Sequence, residues 1–186
     1  MEALLPVFLA VLLAETGGRV QAKSLDLHYR FDAAGMIFAV LAFTTFMSLM
    51  IAAIGGVIVG GMVGFEARSL MAGVSLLFAG APMFLSVRPL RVVSERGVLT
   101  ASLRGFAPLQ FGDASQFIVF AMAARTVQGP FAFGAGMAAT LAAAALPVMM
   151  GSAWPDALLL NRWRRIAASL LLAAGCWMIV AALRLI

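Results

Sequence analysis

The chain has 186 residues, of which 63% are hydrophobic and only 11% charged, with a mean hydropathy of +1.04. A soluble domain carries about 25% charged residues, and the 13 basic and 8 acidic side chains here could not cover a globule of this size. The net charge of +5 lies in short links between apolar segments rather than in a continuous stripe, so a nucleic-acid surface is not expected either.

Apolar stretches run over residues 3–22, 34–63, 67–87, 101–125, 129–153 and 164–186. A spanning helix needs about 20 mostly apolar residues, with its backbone polar groups satisfied internally. A membrane β-barrel would show alternating segments of about 10 residues, and runs such as LLFAGAPMFL and SLLLAAGCWMIVAAL do not alternate. The expected fold is an all-α membrane protein of about six transmembrane helices.

The first stretch, MEALLPVFLAVLLAETGG, has Glu2 in place of a basic leader and no A-x-A site after it, so it reads as an uncleaved helix. Polar residues interrupt it midway, as they do the fourth stretch. In the second, Gly56, Gly60 and Gly64 recur every four residues and offer a face for close helix approach. AATLAAAA (138–145) offers a similar face in the fifth, and both read as internal packing surfaces rather than a homodimer seam. A homodimer is compatible with the sequence, which gives no argument for one. Cys176 lies alone in the sixth stretch, so no intrachain disulfide can form. The methionines, Met47, Met50, Met149 and Met150 among them, are scattered among apolar residues and do not mark a soft-metal path. Trp154 and Trp163 flank a link and fit an interfacial belt, unlike Trp177.

The links KSLDLHYRFD, FEAR, RPLRVVSERG, RTVQGP and WPDALLLNRWRR separate these segments, and His28 in the first of them is expected to be solvated. Lys23, Arg30, Arg88, Arg91, Arg96, Arg104, Arg162, Arg164 and Arg165 fall on one side, against Arg68, Arg125 and Arg184 on the other. The excess predicts both termini on the non-cytoplasmic side, which in a bacterium is the periplasmic face of the inner membrane.

An internal repeat carries the most information. LAETGGRVQ (13–21) aligns with LQFGDASQ (109–116) when Gly17 is set on Gly112 and Gln21 on Gln116, an offset of 95 residues. The same offset sets LFAG (77–80) on LAAG (172–175). The reading is two three-helix repeats, 1–92 and 93–186, in one integrated membrane domain. An odd number of helices per unit inverts one repeat relative to the other, as in transporters whose site lies where the repeats meet.

Glu15 and Asp113 are the acids embedded in equivalent stretches. A charge at the bilayer centre costs about 2.5–3.5 kcal/mol on insertion scales, so such residues face a partner or water. Gln110, Ser115, Gln116, Thr16 and Gln21 add oxygen-bearing groups nearby, and a helix would set Gln110 and Asp113 on one face. Gly17, Gly18 and Gly112 permit kinks that free carbonyl oxygens. Oxygen donors of these kinds suit a hard cation such as Ca2+ or Mn2+, whereas a zinc or copper site would want the His or Cys cluster that is absent. Arg19 either neutralises Glu15 at the i, i+4 spacing or exchanges its contact as cargo comes and goes.

The segments AETGGRVQ and QFGDASQ resemble degenerate copies of the doubled E-x-G-D-[KR]-[ST] motif of the Gdt-type cation/proton antiporters. That family includes bacterial manganese exporters and Golgi calcium/manganese transporters, within the wider lysine-exporter superfamily. In the first copy Glu15, Gly17 and Arg19 match, while Gly18 stands for Asp and Val20 for Ser or Thr. In the second Gly112, Asp113 and Ser115 match, while Gln110 replaces Glu and Ala114 the basic residue. The resemblance implies a non-enzymatic secondary transporter exchanging Mn2+ or Ca2+ for protons across a lipid bilayer, with the divalent ion as cargo and no resident cofactor. Glu15 and Asp113 would hold the metal, supported by Gln110, Gln21, Gln116 and Ser115, with Arg19 modulating charge. Two full motifs leave two negative charges, whereas Glu15, Asp113 and Arg19 leave one, so divalent binding weaker than the family norm is expected. Export of a small organic cation or amino acid, or a scaffold that no longer transports, are the alternatives.

Overall fold

The computed structural model describes residues 4–85, 97–150 and 157–183, and every regular element among them is helical. Eight α-helices follow one another: α1 (Leu4–Glu15), α2 (Arg19–Phe31), α3 (Ala34–Met62), α4 (Phe65–Gly80), α5 (Val98–Gln110), α6 (Ala114–Thr126), α7 (Gly129–Met150) and α8 (Ala157–Ala182). A 3₁₀ turn (Ala81–Phe84) extends α4.

Four helical segments are long and apolar enough to cross a membrane: Ala34–Met62, Phe65–Phe84, Gly129–Met150 and Leu159–Ala182. A fifth is added if α1 and α2, bent by 62° at their break, count as one span. The first and fourth apolar stretches differ from the expectation of continuous helices. Each is divided near its middle into two short helices, α1–α2 and α5–α6, by a glycine turn. KSLDLHYRFD, expected as a link, is instead most of α2, and Arg104, Arg162, Arg164 and Arg165 also lie within helices. Its polarity misled because α2 is amphipathic: Val20 and Leu27 are buried, and the stem of buried Lys23 packs at Gly105 of α5. Lys23 Nζ meets Asp26 Oδ2 at 3.0 Å. His28 is correspondingly half-buried, with Nδ1 enclosed, rather than solvated. Arg88, Arg91, Arg96, Trp154 and Arg184 lie outside the described residues.

Small residues set the packing. Gly56 and Gly60 of α3 lie so close to α6 that a Cβ on either would collide with the carbonyls of Phe120 and Ala124. Without a hydrophobic drive between helices in lipid, such close approach supplies the van der Waals contact that holds a bundle. Gly64 makes no such contact with another helix. In α7, Ala139, Thr140, Ala143 and Ala144 are buried, and α7 packs on α1, α2 and α3. The α4–α8 pair is joined at two points, Gly73 against Gly175 and Gly80 against Ala168, so these helices run antiparallel.

The offset of 95 residues recurs in the structure. The starts of α2 and α3, Arg19 and Ala34, correspond to those of α6 and α7, Ala114 and Gly129. The left-handed residues that close α2 and α6, Asp32 and Val127, correspond likewise. Exchanging the halves turns the Gly73–Gly175 contact into Ala168–Gly80.

Candidate functional site

Both helix breaks are built the same way. Gly17 has φ +66° and Gly112 φ +79°, a backbone region that residues with a Cβ enter only at a cost. Each glycine N–H donates to a glutamine four residues on, Gly17 to Gln21 Oε1 at 2.7 Å and Gly112 to Gln116 Oε1 at 2.6 Å. The same glutamines anchor each break to a long helix of the other half. Gln21 Nε2 donates to Ala143 O at 2.9 Å, and Gln116 Nε2 to Ser48 O at 3.4 Å. These four bonds also interchange under the 95-residue offset.

Between the breaks, the 3₁₀ turn and the start of α8 lies a cavity of about 240 Å³. Glu15, Arg19, Asp113 and Arg164 line it, together with Gly18, Gly112 and apolar side chains that include Phe78 and Met83. Glu15 ends α1 and Asp113 precedes the first turn of α6, so the carboxylates come from different halves of the chain. They share this cavity and are near enough to act on each other electrostatically. Glu15 Oε1 and Ser115 Oγ are enclosed without a hydrogen-bond partner. Buried polar atoms are seldom left unpaired, and those that are call for an explanation. An oxygen-seeking ligand in the cavity would supply one.

Not every expected site residue joins this group. Gln21 and Gln116 spend their amides on the backbone of the breaks and do not line the cavity. Gln110 does not share a helix face with Asp113, because α5 ends at Gln110 and the chain turns before α6. Its side chain is fully buried, with Oε1 and Nε2 both unpartnered, while its carbonyl accepts a bond from Ser48 Oγ at 2.8 Å. Thr16 Oγ1 is turned back on Leu12 O at 2.8 Å. The i, i+4 pairing of Arg19 with Glu15 is lost for the same reason as the Gln110 geometry: α1 stops at Glu15, Arg19 opens α2, and its charge acts on Asp113. Among the described residues no cluster of three or more His, Cys, Asp or Glu side chains is present.

Sequence reasoning missed Arg164. Counted there as a loop charge, it stands in α8 with its stem against Gly17, and its charge acts on Asp113. Its Nη2 donates to Pro82 O at 3.4 Å. The only signal in the sequence was its place at the edge of the sixth apolar stretch, within the run NRWRR.

Residues 98–185 match the family model described as divalent cation/proton antiporter GDT1. Over its second half, the chain is similar to the GDT1 family. The matched segment takes in α5 to α8 and so contributes Gly112, Asp113 and Arg164 to the lining of the cavity. The match agrees with the resemblance read from QFGDASQ, and the description is that of a transporter rather than an enzyme. No curated protein and no solved structure matches the chain.

Proposed function

We propose that the protein is a secondary transporter that moves a divalent cation, Mn2+ or Ca2+, in exchange for protons. The observation that carries this reading is the meeting of Glu15 and Asp113, one from each broken helix, at a shared cavity, with Glu15 Oε1 enclosed there without a hydrogen-bond partner. Carboxylate and hydroxyl oxygens suit a hard cation. The same carboxylates can take up protons when the cation leaves, which gives exchange at one site.

The two halves, 1–92 and 93–186, act in this proposal as inverted repeats of one integrated membrane domain, with α1–α2 and α5–α6 as broken spans that complete six crossings. Support comes from the paired Gln21–Ala143 and Gln116–Ser48 bonds and from the interchanging α4–α8 contacts. Alternating access would rock one repeat against the other about the fixed site. The distribution of basic residues favours both termini on the non-cytoplasmic side, which in a bacterial inner membrane is the periplasm.

One observation favours a second reading. Arg19 and Arg164 offset the charges of Glu15 and Asp113, and a cavity of zero formal charge disfavours a divalent ion more strongly than a monovalent organic cation. Protection from thermal unfolding by metals but not amines would favour the first reading, and the reverse the second.

The test is uptake of Mn2+ and Ca2+ by proteoliposomes containing an internal pH dye. Metal flux with opposed proton movement, reduced to background in Glu15→Gln and in Asp113→Asn, is the expected result. A folded wild-type protein that carries no metal would contradict it.

A further inference from the structure

Arg164 is placed where a cation cargo would have to contend with it. Its stem lies against the bare backbone of Gly17, where an added Cβ would sit 3.7 Å from both Arg164 Cβ and Cδ. Its Nε and Nη1 are enclosed without a hydrogen-bond partner, although it lines the same cavity as Glu15 and Asp113 and its charge acts on Asp113. Unpaired charges in a low-dielectric setting interact strongly over several ångströms. The repeat does not explain the arginine. At the 95-residue offset the equivalent of Arg164 is Ser69, a buried and uncharged residue of α4.

We infer that Arg164 is the specificity-determining residue of the cavity, a tethered cation that competes with cargo for Glu15 and Asp113 and holds down the affinity for doubly charged ions. The inference rests on the cation-exchange reading above and deepens it. At a fixed place in the cavity, repulsion by the guanidinium scales with the charge of the cargo. Arg164 therefore penalises a divalent ion about twice as strongly, on a logarithmic scale, as a monovalent one. A residue that merely shaped the cavity would alter both affinities alike.

The experiment is equilibrium binding of Mn2+, and of methylammonium by competition, to the full-length protein in detergent, with Arg164→Gln and Arg164→Lys beside the wild type. Arg164→Gln is expected to bind Mn2+ tighter by about tenfold or more, and methylammonium tighter by about the square root of that factor. Arg164→Lys keeps the charge and should stay near wild type. Arg164→Met, which preserves the apolar stem at Gly17, serves as the neutral variant if Arg164→Gln does not fold. Unchanged or weaker Mn2+ binding in the folded neutral variant, or equal gains for both cations, would overturn the inference while leaving the exchange reading intact. Absence of Mn2+ binding in wild type and variants alike would remove the exchange reading, and this inference with it.

Discussion

The two helix breaks share a backbone and differ in chemistry. Residues 15–21 and 110–116 have the same glycine in left-handed conformation, the same glutamine bonded to it, and the same anchor on a long helix of the opposite half. Yet Glu15 faces a cavity with an acid across from it, while its equivalent, Gln110, is sealed in with both amide atoms unpartnered. Asp113 lines the cavity, and its equivalent there is Gly18, which brings no side chain at all. Glycine and glutamine thus fix where the helices break, and the acidic positions decide what the break can hold. The two breaks differ in the second set and agree in the first.

The strongest way to break this comparison is to restore an acid on the neutral side. Gln110→Glu puts a carboxylate where the wild-type amide is fully buried and outside the cavity. It should cost about 2.5–3.5 kcal/mol of stability, the order of an unpaired charge within the membrane, and should not tighten Mn2+ binding. Thermal unfolding and Mn2+ titration of the purified variant check both points. Tighter binding without lost stability would mean that Gln110 belongs to the site after all.

A smaller effect sharpens the shared part. Gln21→Leu leaves the Gly17 N–H and the Ala143 carbonyl without their partner, and a lost buried hydrogen bond costs about 1–3 kcal/mol. Gln116→Leu removes the equivalent pair, but its bond to Ser48 O is longer, at 3.4 Å against 2.9 Å, and Gly112 N–H lies exposed. It should therefore cost less, about 1 kcal/mol or below. The difference in thermal midpoint measures this, and equal losses would show that the two anchors are equivalent in strength.

Much of this arrangement was legible in the sequence. The 95-residue register, the embedded acids Glu15 and Asp113 and the special glycines Gly17 and Gly112 could all be read from residue type and spacing. Hydropathy could not show that the first and fourth stretches are broken in the middle, because a turn of two or three residues scarcely changes an average taken over about 20. Nor could it separate a polar link from an amphipathic helix, which is why α2 was expected as a loop. Gln21 and Gln116 looked like cation ligands because amide oxygens can be; only their partners reveal that they serve the backbone. Arg164 was hidden by its neighbours, since Arg162, Arg164 and Arg165 are alike in type, and only helical phase turns Arg164 toward the cavity.

The central claim is that Glu15 and Asp113 form a single site. A double-mutant cycle for Mn2+ binding, with Glu15→Gln, Asp113→Asn and the double variant, tests it most directly. One shared site predicts strong non-additivity, with the double variant binding little worse than either single variant. Additive losses, each acid contributing as if the other were absent, would contradict the account.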